Sequence, residues 1–229
     1  KTTTLRCIAG LQTPDSGVIQ LNGETLFEAD GKRVKRNTPA HKRRIGYVFQ
    51  EYALFPHLTA AQNIAYGVRH SADVPCRVEA MLKQMRLEGL GDRYPGQLSG
   101  GQQQRVAVAR ALMIEPRCLL MDEPFSALDG AVRERLQEDI RQLQQEFYFP
   151  LLYVTHNLED AFALGHRLAI YHDGKLEQVG ETEEVFRHPW TSNVARVLGT
   201  TNIFQGEVVD ATPEALQVTW HSVTLHAPP

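Results

Sequence analysis

The feature that most constrains the fold is an apolar run that ends in two acids, Cys118-Leu119-Leu120-Met121-Asp122-Glu123. An apolar run without alternation is typical of a strand buried on both faces, which predicts an α/β fold with a parallel sheet. Side chains alternate along a strand, so we expect Asp122 and Glu123 to diverge, one towards a metal ion and the other towards an attacking water. A polar strand exit into a turn is the alternative.

Two further apolar runs end in polar side chains. Residues 45–49 precede Gln50, and residues 151–155 precede His156. Taken singly, the glutamine is typical of a turn and the histidine of a structural role. Ligands of open parallel sheets bind outside the carboxyl ends of the strands, so Gln50, Asp122 and His156 are expected to converge on one site.

A serine and two glycines, Ser99-Gly100-Gly101, open a dense helical run that continues to Pro116. The start of a helix exposes unpaired backbone N–H groups and the positive end of the helix dipole. Residues without Cβ let an anion approach that backbone closely, which indicates half of a phosphate site. A turn with a serine cap is the alternative.

The chain starts with Lys1-Thr2-Thr3, followed by apolar residues at helical spacing until Gly10. A lysine and a hydroxyl at a helix start are the end of a P-loop, where the lysine reaches phosphates and the hydroxyl binds Mg²⁺. On its own this start is a weak signal, because most Lys-Thr pairs have no such role.

The remaining pattern predicts the organisation of the chain. Residues 18–21 with Asn22-Gly23 predict a hairpin and an antiparallel β-element beside the first helix. Residues from about 59 to 115 predict a helical subdomain, and Asp129 is expected to be the N-cap of the helix after it. We expect one main domain over residues 1–198 and the start of a small β-domain over 199–229.

Composition excludes some classes of protein. The net charge of −3 gives no electrostatic reason to expect nucleic acid, and the basic stretch over residues 32–44 is typical of a solvated hairpin or loop. Cys7, Cys76 and Cys118 are expected to be reduced thiols. No run of 18 apolar residues is present, so we expect no membrane-spanning segment.

In this order, the residues resemble the ATPase subunits of ATP-binding cassette (ABC) transporters, from Lys1 to about Leu198. Six motifs carry the resemblance: the end of Walker A at Lys1-Thr2-Thr3, the Q-loop at Gln50, the signature at Leu98 to Gln102, Walker B with the catalytic glutamate at Asp122 and Glu123, the D-loop at Ser126 to Asp129, and the switch histidine at His156.

The resemblance implies a P-loop NTPase core of the RecA-like type, with an antiparallel β subdomain and a helical signature subdomain. It implies ATP and Mg²⁺ as ligands, with Mg²⁺ held by Thr2, Gln50 and Asp122, water activated by Glu123, and the γ-phosphate contacted by His156. The expected nucleotide-binding residues are Lys1, Thr2, Thr3, Ser99, Gly100, Gly101, Gln102 and Asp129.

The resemblance also implies partners. Two cassettes pair head to tail as a homodimer, so that Ser99, Gly100 and Gly101 of one chain meet the γ-phosphate held by Lys1 and Thr2 of the other. No nucleic-acid partner is expected.

Within the family, several segments are similar to importers fed by a periplasmic or extracellular solute-binding protein: residues 51–57, Arg187-His188-Pro189 and the β-rich start after Gly199. Such an ATPase lies peripherally at the cytoplasmic face of the inner membrane. Residues 199–204 are most similar to the molybdate and tungstate branch, with sulfate, ferric iron, polyamine and sugar importers as alternatives.

An integral membrane permease would dock near residues 50–57. Tyr52, Leu54 and Phe55 would then line the groove for its coupling helix. The alternative is that these three side chains are buried plugs.

Two rival hypotheses remain. A soluble ABC ATPase acting on nucleic acid or ribosomes would use residues 32–44, but such proteins usually carry two cassettes or a coiled-coil insertion, and neither appears in this sequence. A non-catalytic, ATP-dependent dimerisation module is disfavoured because Glu123 and His156 are both present. In the family, the Walker A glycines and an adenine-stacking aromatic come before the lysine, so residues 1–229 alone are expected to bind ATP weakly or not at all.

Overall fold

The computed structural model describes residues 1–68, 73–126, 128–212, 216–221 and 223–227. The chain divides into two compact units, Lys1–Leu164 and Gly165–Pro229. The domain boundary after residue 198 stays a prediction. The first unit contains, in chain order, α1 (Thr2–Ala9), β1 (Ser16–Leu21), β2 (Glu24–Asp30), β3 (Val34–Asn37), α2 (Ala40–Arg43), β4 (Ile45–Val48), α3 (Ala60–Ala65), α4 (Val74–Gln84), α5 (Gly100–Met113), β5 (Cys118–Asp122), α6 (Gly130–Phe147), β6 (Leu151–Val154) and α7 (Leu158–Leu164).

A parallel sheet of strand order β4-β5-β6 forms the centre of this unit. All five residues of β5 are buried. Leu119 and Met121 belong to the large apolar cluster that includes α5, whereas Cys118 and Leu120 belong to a second cluster with Leu5 of α1. Helices therefore pack against β5 on both faces, and the predicted α/β fold is confirmed.

Strand β6 differs from its prediction. Its apolar run predicts a buried strand, but Leu152 is 42% exposed and the other residues of β6 are only half-buried. Within the described part of the sheet, β6 pairs with β5 alone and forms an edge. The apolar run therefore predicts the strand correctly but does not predict how far the strand is buried, because burial depends on the elements that pack beside the strand.

The predicted hairpin is present as β1 and β2, which pair antiparallel around Asn22 and Gly23. Both turn residues have positive φ, 50° and 79°, which is what a two-residue hairpin turn requires. Strand β3 pairs with β2 and completes a three-stranded sheet.

The basic stretch of residues 32–44 is partly engaged in structure. Lys35 and Arg36 form ion pairs with glutamates of β2, at 2.9 Å and 3.7 Å. Arg43 is fully buried, and its guanidinium donates to the carbonyls of Cys7 and Ile8 at the end of α1. A cation at a helix C-terminus interacts favourably with the helix dipole, so Arg43 stabilises α1.

The helical part lies between β4 and β5. Thr59 caps α3 through a capping box with Gln62. The apolar faces of α3, α4 and α5 pack together through Ile64, Met81 and Val108. The predicted helical subdomain also includes residues 69–72, which lie outside the described residues.

The second unit contains β7 (Arg167–His172), β8 (Lys175–Glu181), α8 (Thr182–Arg187), α9 (Ser192–Val197), β9 (Glu207–Ala211), β10 (Leu216–Trp220) and β11 (Val223–Ala227). Ile170, Val185 and Val194 form its small buried cluster. Strands β9 to β11 form an antiparallel sheet in the region expected to begin a β-domain, of which residues 213–215, 222, 228 and 229 lie outside the described residues. Across the described residues of both units, no helix has the length and apolar character needed to cross a membrane.

Asp139, near the middle of α6, joins that helix to α5. Its carboxylate is 1% exposed and lies 3.0 Å from the guanidinium groups of both Arg105 and Arg86. Asp139→Ala leaves the largely buried Arg105 without its counter-ion, so we expect the free energy of unfolding to fall by about 3 kcal/mol. The midpoint of urea denaturation measures this loss.

Glu138→Ala is the matched control. Glu138 is the neighbouring residue on α6, and its ion pair with Arg141 is about half exposed. Removing such a pair changes the free energy of unfolding by less than about 1 kcal/mol. Equal losses in the two variants would contradict the structural role given to Asp139.

Candidate active site

Three strand ends and one helix start meet at one edge of the parallel sheet. The register pairs Val48 of β4 with Met121 of β5, and Asp122 of β5 with Val154 of β6. Gln50, Glu123 and His156 follow these ends, so the topology places their side chains at the same edge.

Thr2 joins the first helix to the end of β5. Its hydroxyl donates to Asp122 Oδ1 at 2.8 Å, across 120 positions of sequence. The second carboxylate oxygen, Oδ2, accepts a hydrogen bond from the Tyr47 hydroxyl at 3.2 Å. Asp122 is 4% exposed, and both of its oxygens have a partner. The carboxylate is therefore held in one orientation at the N-terminus of α1.

Tyr47 also holds the Asp122 carboxylate in this orientation, although it belongs to none of the motifs identified in the sequence. Burial, together with the negative charge of Asp122, raises the pKa of the Tyr47 hydroxyl to about 12. The hydroxyl therefore stays protonated at neutral pH and keeps donating to the carboxylate. The available sequence signal was a side chain with a polar tip inside an otherwise apolar strand.

Glu123 has a left-handed backbone conformation, with φ of 47°. Such a conformation is unfavourable for a residue with a Cβ and persists where the surroundings hold it. Here the Glu123 N–H donates to the Val154 carbonyl at 2.9 Å, and the Ser126 hydroxyl donates to the Glu123 carbonyl at 3.0 Å. This bend directs the Glu123 side chain away from that of Asp122.

Gln50 and His156 both reach the same oxygen of Glu123. Gln50 Nε2 donates to Glu123 Oε2 at 3.4 Å, and His156 Nδ1 lies 3.2 Å from that oxygen. The Glu123 side chain is 28% exposed and that of His156 is 67% exposed. The structure thus brings three of the predicted site residues into contact at a position open to solvent.

The lysine at the start of the chain lies close to this group. Lys1 Nζ donates to the carbonyl of Thr155, the residue before His156, at 3.5 Å. Lys1 and Thr3 are exposed, whereas Thr2 is half-buried. The first turn of α1 therefore presents one hydroxyl to Asp122 and one ammonium group towards the end of β6.

A buried carboxylate, Asp160 of α7, shapes the turn that carries His156. Its oxygens accept hydrogen bonds from Thr155 Oγ1 at 3.1 Å and from Gln137 Nε2 at 2.8 Å. Burial raises the pKa of Asp160, and the hydrogen bond from Thr155 and the charge of Arg133 oppose that rise. The turn is therefore tied to both α6 and α7.

Ser99 to Gln102 form a separate part of the predicted site. Ser99 caps α5: its hydroxyl accepts from Gln102 N–H at 3.3 Å, and its N–H donates to Gln102 Oε1 at 2.9 Å. A Cβ on Gly101 would lie 2.6 Å from Val132 Cγ1 of α6, a distance that the packing does not allow. Gly100 is exposed at the first position of the helix.

Asp129 is the N-cap of α6, where its side chain accepts from Val132 N–H at 2.9 Å. Its predicted neighbour in the D-loop, Ala127, lies outside the described residues. Among the contacts given for the described residues, none joins Ser99 to Gln102 or Asp129 to the group around Glu123. Their roles towards a nucleotide stay predictions.

The donor set at the end of β5 fits a magnesium ion. The Thr2 hydroxyl and the Asp122 carboxylate are hard oxygen donors 2.8 Å apart, and Mg²⁺ is usually held by one or two such groups together with phosphate oxygens and water. Among the described residues, no group of three or more His, Cys, Asp and Glu side chains is placed to hold a metal ion.

Comparisons with known proteins agree with this arrangement. A family model described as ABC transporter matches residues 1–126. The chain is 46% identical over 207 residues to the sulfate/thiosulfate import ATP-binding protein of Synechocystis sp., covering 89% of this chain and 56% of that protein. It is 44% identical over 216 residues to the Fe(3+) ions import ATP-binding protein of Agrobacterium fabrum, covering 93% and 59%. The chain thus spans less than two thirds of the length of these relatives.

A solved dimeric ATP-binding cassette in a post-hydrolysis state, bound to ADP and Pi, is also similar. It has a TM-score of 0.65 and 31% sequence identity, and the alignment covers 79% of this chain and 80% of that one. The family match extends from Lys1 through Ser126 and so includes the signature helix start and both acids at the end of β5. The chain belongs to the ABC transporter family.

Proposed function

We propose that this chain is the ATP-hydrolysing subunit of an importer that is fed by a solute-binding protein. The observation that carries the proposal is the group around Glu123, whose Oε2 is contacted by Gln50 and His156 beside the Thr2–Asp122 pair. At one edge of the sheet, Glu123 and His156 supply a carboxylate and an imidazole, and the Thr2–Asp122 pair supplies oxygen donors. This combination of groups suits the transfer of a phosphoryl group to water.

Lys1 and the N-terminus of α1 bind the terminal phosphates in this proposal. The ammonium group and the exposed backbone N–H groups neutralise the charge on the phosphoryl oxygens. Thr2, Asp122 and Gln50 would hold Mg²⁺, which supplies further neutralisation of that charge when bound. Tyr47 keeps Asp122 in orientation through its hydrogen bond to Oδ2.

Glu123 activates the attacking water. As the water oxygen forms a bond to the γ-phosphorus, the bond from that phosphorus to the oxygen of ADP breaks, and Glu123 accepts the proton of the water. His156 contacts the γ-phosphate, and its position is maintained by the Thr155–Asp160 hydrogen bond. The left-handed backbone at Glu123 directs the carboxylate towards this position.

The start of α5 would complete the site of a second copy. Ser99 and Gly100 are exposed at the helix start, where backbone N–H groups can bind a phosphate. The support for a head-to-tail homodimer is the similarity to a solved cassette that is dimeric and bound to ADP and Pi. Thr3, Gln102 and Asp129 are proposed to contact nucleotide in the same assembly.

The loop after Gln50 is the proposed docking site of the membrane permease. Phe55 is half-buried, lies 4.2 Å from the ring of Tyr66, and has the guanidinium of Arg110 over its face. Tyr52 and Leu54 pack partly against the apolar core. The two alternatives for these side chains were a groove for the permease and buried plugs. Each side chain combines both, because it is anchored on one side and accessible on the other. Docking there would place the chain at the cytoplasmic face of the membrane.

For the solute we propose an anion importer, with sulfate or thiosulfate as the first candidate. The support is the sequence identity, which is 46% to a sulfate/thiosulfate import protein and 44% to an Fe(3+) ions import protein. The expectation of molybdate, drawn from residues 199–204, has no support among these relatives, and we do not retain it as the first candidate. Polyamine and ferric iron importers are the alternatives.

The structure disfavours the nucleic-acid rival. Arg43 is buried under backbone carbonyls, and Lys35 and Arg36 are paired with glutamates. Three of the seven Lys and Arg residues in this stretch are therefore engaged within the chain, which lowers the positive charge available to phosphates of RNA.

Glu123→Gln is expected to retain nucleotide binding and to lower the ATP turnover number at least about 100-fold, because the amide cannot accept the proton of water. Equilibrium binding and steady-state phosphate release in the full-length protein measure the two effects. Glu115→Gln, at an exposed residue after α5, is the control and should keep both. Normal hydrolysis in Glu123→Gln would remove Glu123 from the proposed role.

Phe55→Asp is expected to abolish copurification with the permease, because a charge replaces the apolar side chain on the docking surface. Tyr148→Asp is the matched control: Tyr148 is 88% exposed and has a left-handed backbone, which aspartate tolerates. Pulling down the permease with tagged variants tests this. Unchanged assembly of Phe55→Asp would show that the groove lies elsewhere.

The solute prediction concerns the assembled importer. Sulfate presented by its binding protein is expected to stimulate the ATPase of the reconstituted complex several-fold over the unstimulated rate, and molybdate, ferric iron and spermidine are not. Phosphate release with each solute and its own binding protein measures this. Stimulation by one of the other solutes alone would replace the sulfate assignment while leaving the ATPase proposal intact.

A further inference from the structure

The turn that follows Gln50 has an unusual backbone. Tyr52 and Ala53, two consecutive residues with side chains, have φ of 61° and 47°. Each such residue is less stable than in an ordinary conformation, and two in succession persist only where the surroundings hold them. Something outside the turn must therefore maintain its shape.

Arg110, in the last turn of α5, supplies that contact. Its Nη1 donates to the Ala53 carbonyl at 2.8 Å, and its Nη2 donates to the Tyr52 carbonyl at 3.0 Å. The guanidinium also lies 5.3 Å from the centre of the Phe55 ring. The fork of an arginine can bridge two carbonyls in this way, whereas a lysine ammonium group has no such fixed geometry.

The environment of Arg110 strengthens these hydrogen bonds. The side chain is partly buried, and burial lowers the pKa of its guanidinium, which remains charged. A charged donor away from water binds a carbonyl more strongly than an exposed one does. Among the described residues, no carboxylate forms an ion pair with Arg110. Its guanidinium instead donates to the carbonyls of Tyr52 and Ala53.

The same turn also touches the other end of α5. The Tyr52 hydroxyl lies 3.8 Å from the position that a Cβ on Gly100 would occupy. This hydroxyl is buried and has no hydrogen-bond partner among the described residues, and burial raises its pKa. Gly100 and Arg110 are ten positions apart, about 15 Å along a helix. The turn is therefore hydrogen-bonded to the last turn of α5 and lies near its start.

We propose that Arg110 is a positioning residue that couples Gln50 to the start of α5. By fixing the Tyr52–Ala53 turn on the helix, it sets Gln50 beside Glu123 in one nucleotide site and sets Ser99 and Gly100 for the site completed in the partner copy. A shift of the turn would then change both sites together. The proposal rests on the proposed ATPase function.

The test compares Arg110→Gln, Arg110→Lys and a control on another helix. The control is Arg77→Gln, since Arg77 of α4 also donates to a carbonyl of α5, that of Met113, at 2.8 Å, but does not contact the turn. We expect Arg110→Gln to lower the turnover number about 10-fold or more with KM for ATP nearly unchanged, and Arg110→Lys to recover little of it. Arg77→Gln should remain within about 2-fold of the original rate.

A double-mutant cycle separates positioning from a general loss of structure. Because Arg110 acts in part through Gln50, adding Arg110→Gln to Gln50→Ala should slow turnover by a clearly smaller factor than Arg110→Gln does in the original protein. A product of the two separate losses would overturn the proposal. Full rescue by Arg110→Lys would also overturn it, because a bridging fork would then not be needed.

Hydrogen exchange gives a readout that does not depend on hydrolysis. In Arg110→Lys, amides in peptides covering residues 50–55 and 99–104 should exchange faster together, and those covering the Thr2 helix should not. Unchanged exchange in the turn overturns the proposal even if the protein hydrolyses ATP. If the original protein shows no ATPase activity, the proposed function fails, and the exchange result still decides whether Arg110 holds the turn.

Discussion

Burial of β5 on both faces is the constraint on which the rest of the structure depends. Its side chains alternate between two apolar clusters, one with α5 and one with α1. Such a strand accepts parallel neighbours and helical cover, so its polar residues can lie only at its end. Asp122 and Glu123 are therefore placed beside the ends of β4 and β6, where Gln50 and His156 follow. The candidate site is a direct consequence of how this strand is buried.

Features with local physical causes were predictable from the sequence. The capping boxes at Thr59 and Ser99 have such local causes, because both partners of each box lie within one helical turn. The hairpin at Asn22-Gly23 formed for the same reason, since two residues set its backbone. The run before Asp122 identified the buried strand and with it the fold class. In each case the necessary information lay within a few neighbouring residues.

Features with distant causes were not predictable. Tyr47 and Asp122 are 75 positions apart, and Arg110 is 58 positions from the Tyr52 carbonyl that it binds. No period or spacing in the sequence indicates either contact, because each depends on how the elements pack in three dimensions. The exposure of β6 was missed for the same reason. The left-handed backbone of Glu123 also depends on contacts from Val154 and Ser126 rather than on its own residue type.

The two glycines at the start of α5 belong to one motif but have different physical reasons for being glycine. A Cβ on Gly101 would meet Val132 of α6 at 2.6 Å, so close packing of α5 against α6 within this chain is sufficient reason for that glycine. A Cβ on Gly100 would meet only the Tyr52 hydroxyl, at an ordinary 3.8 Å. Packing gives no reason for a glycine at position 100. We propose instead that the close approach of an anion to the backbone requires the glycine at position 100.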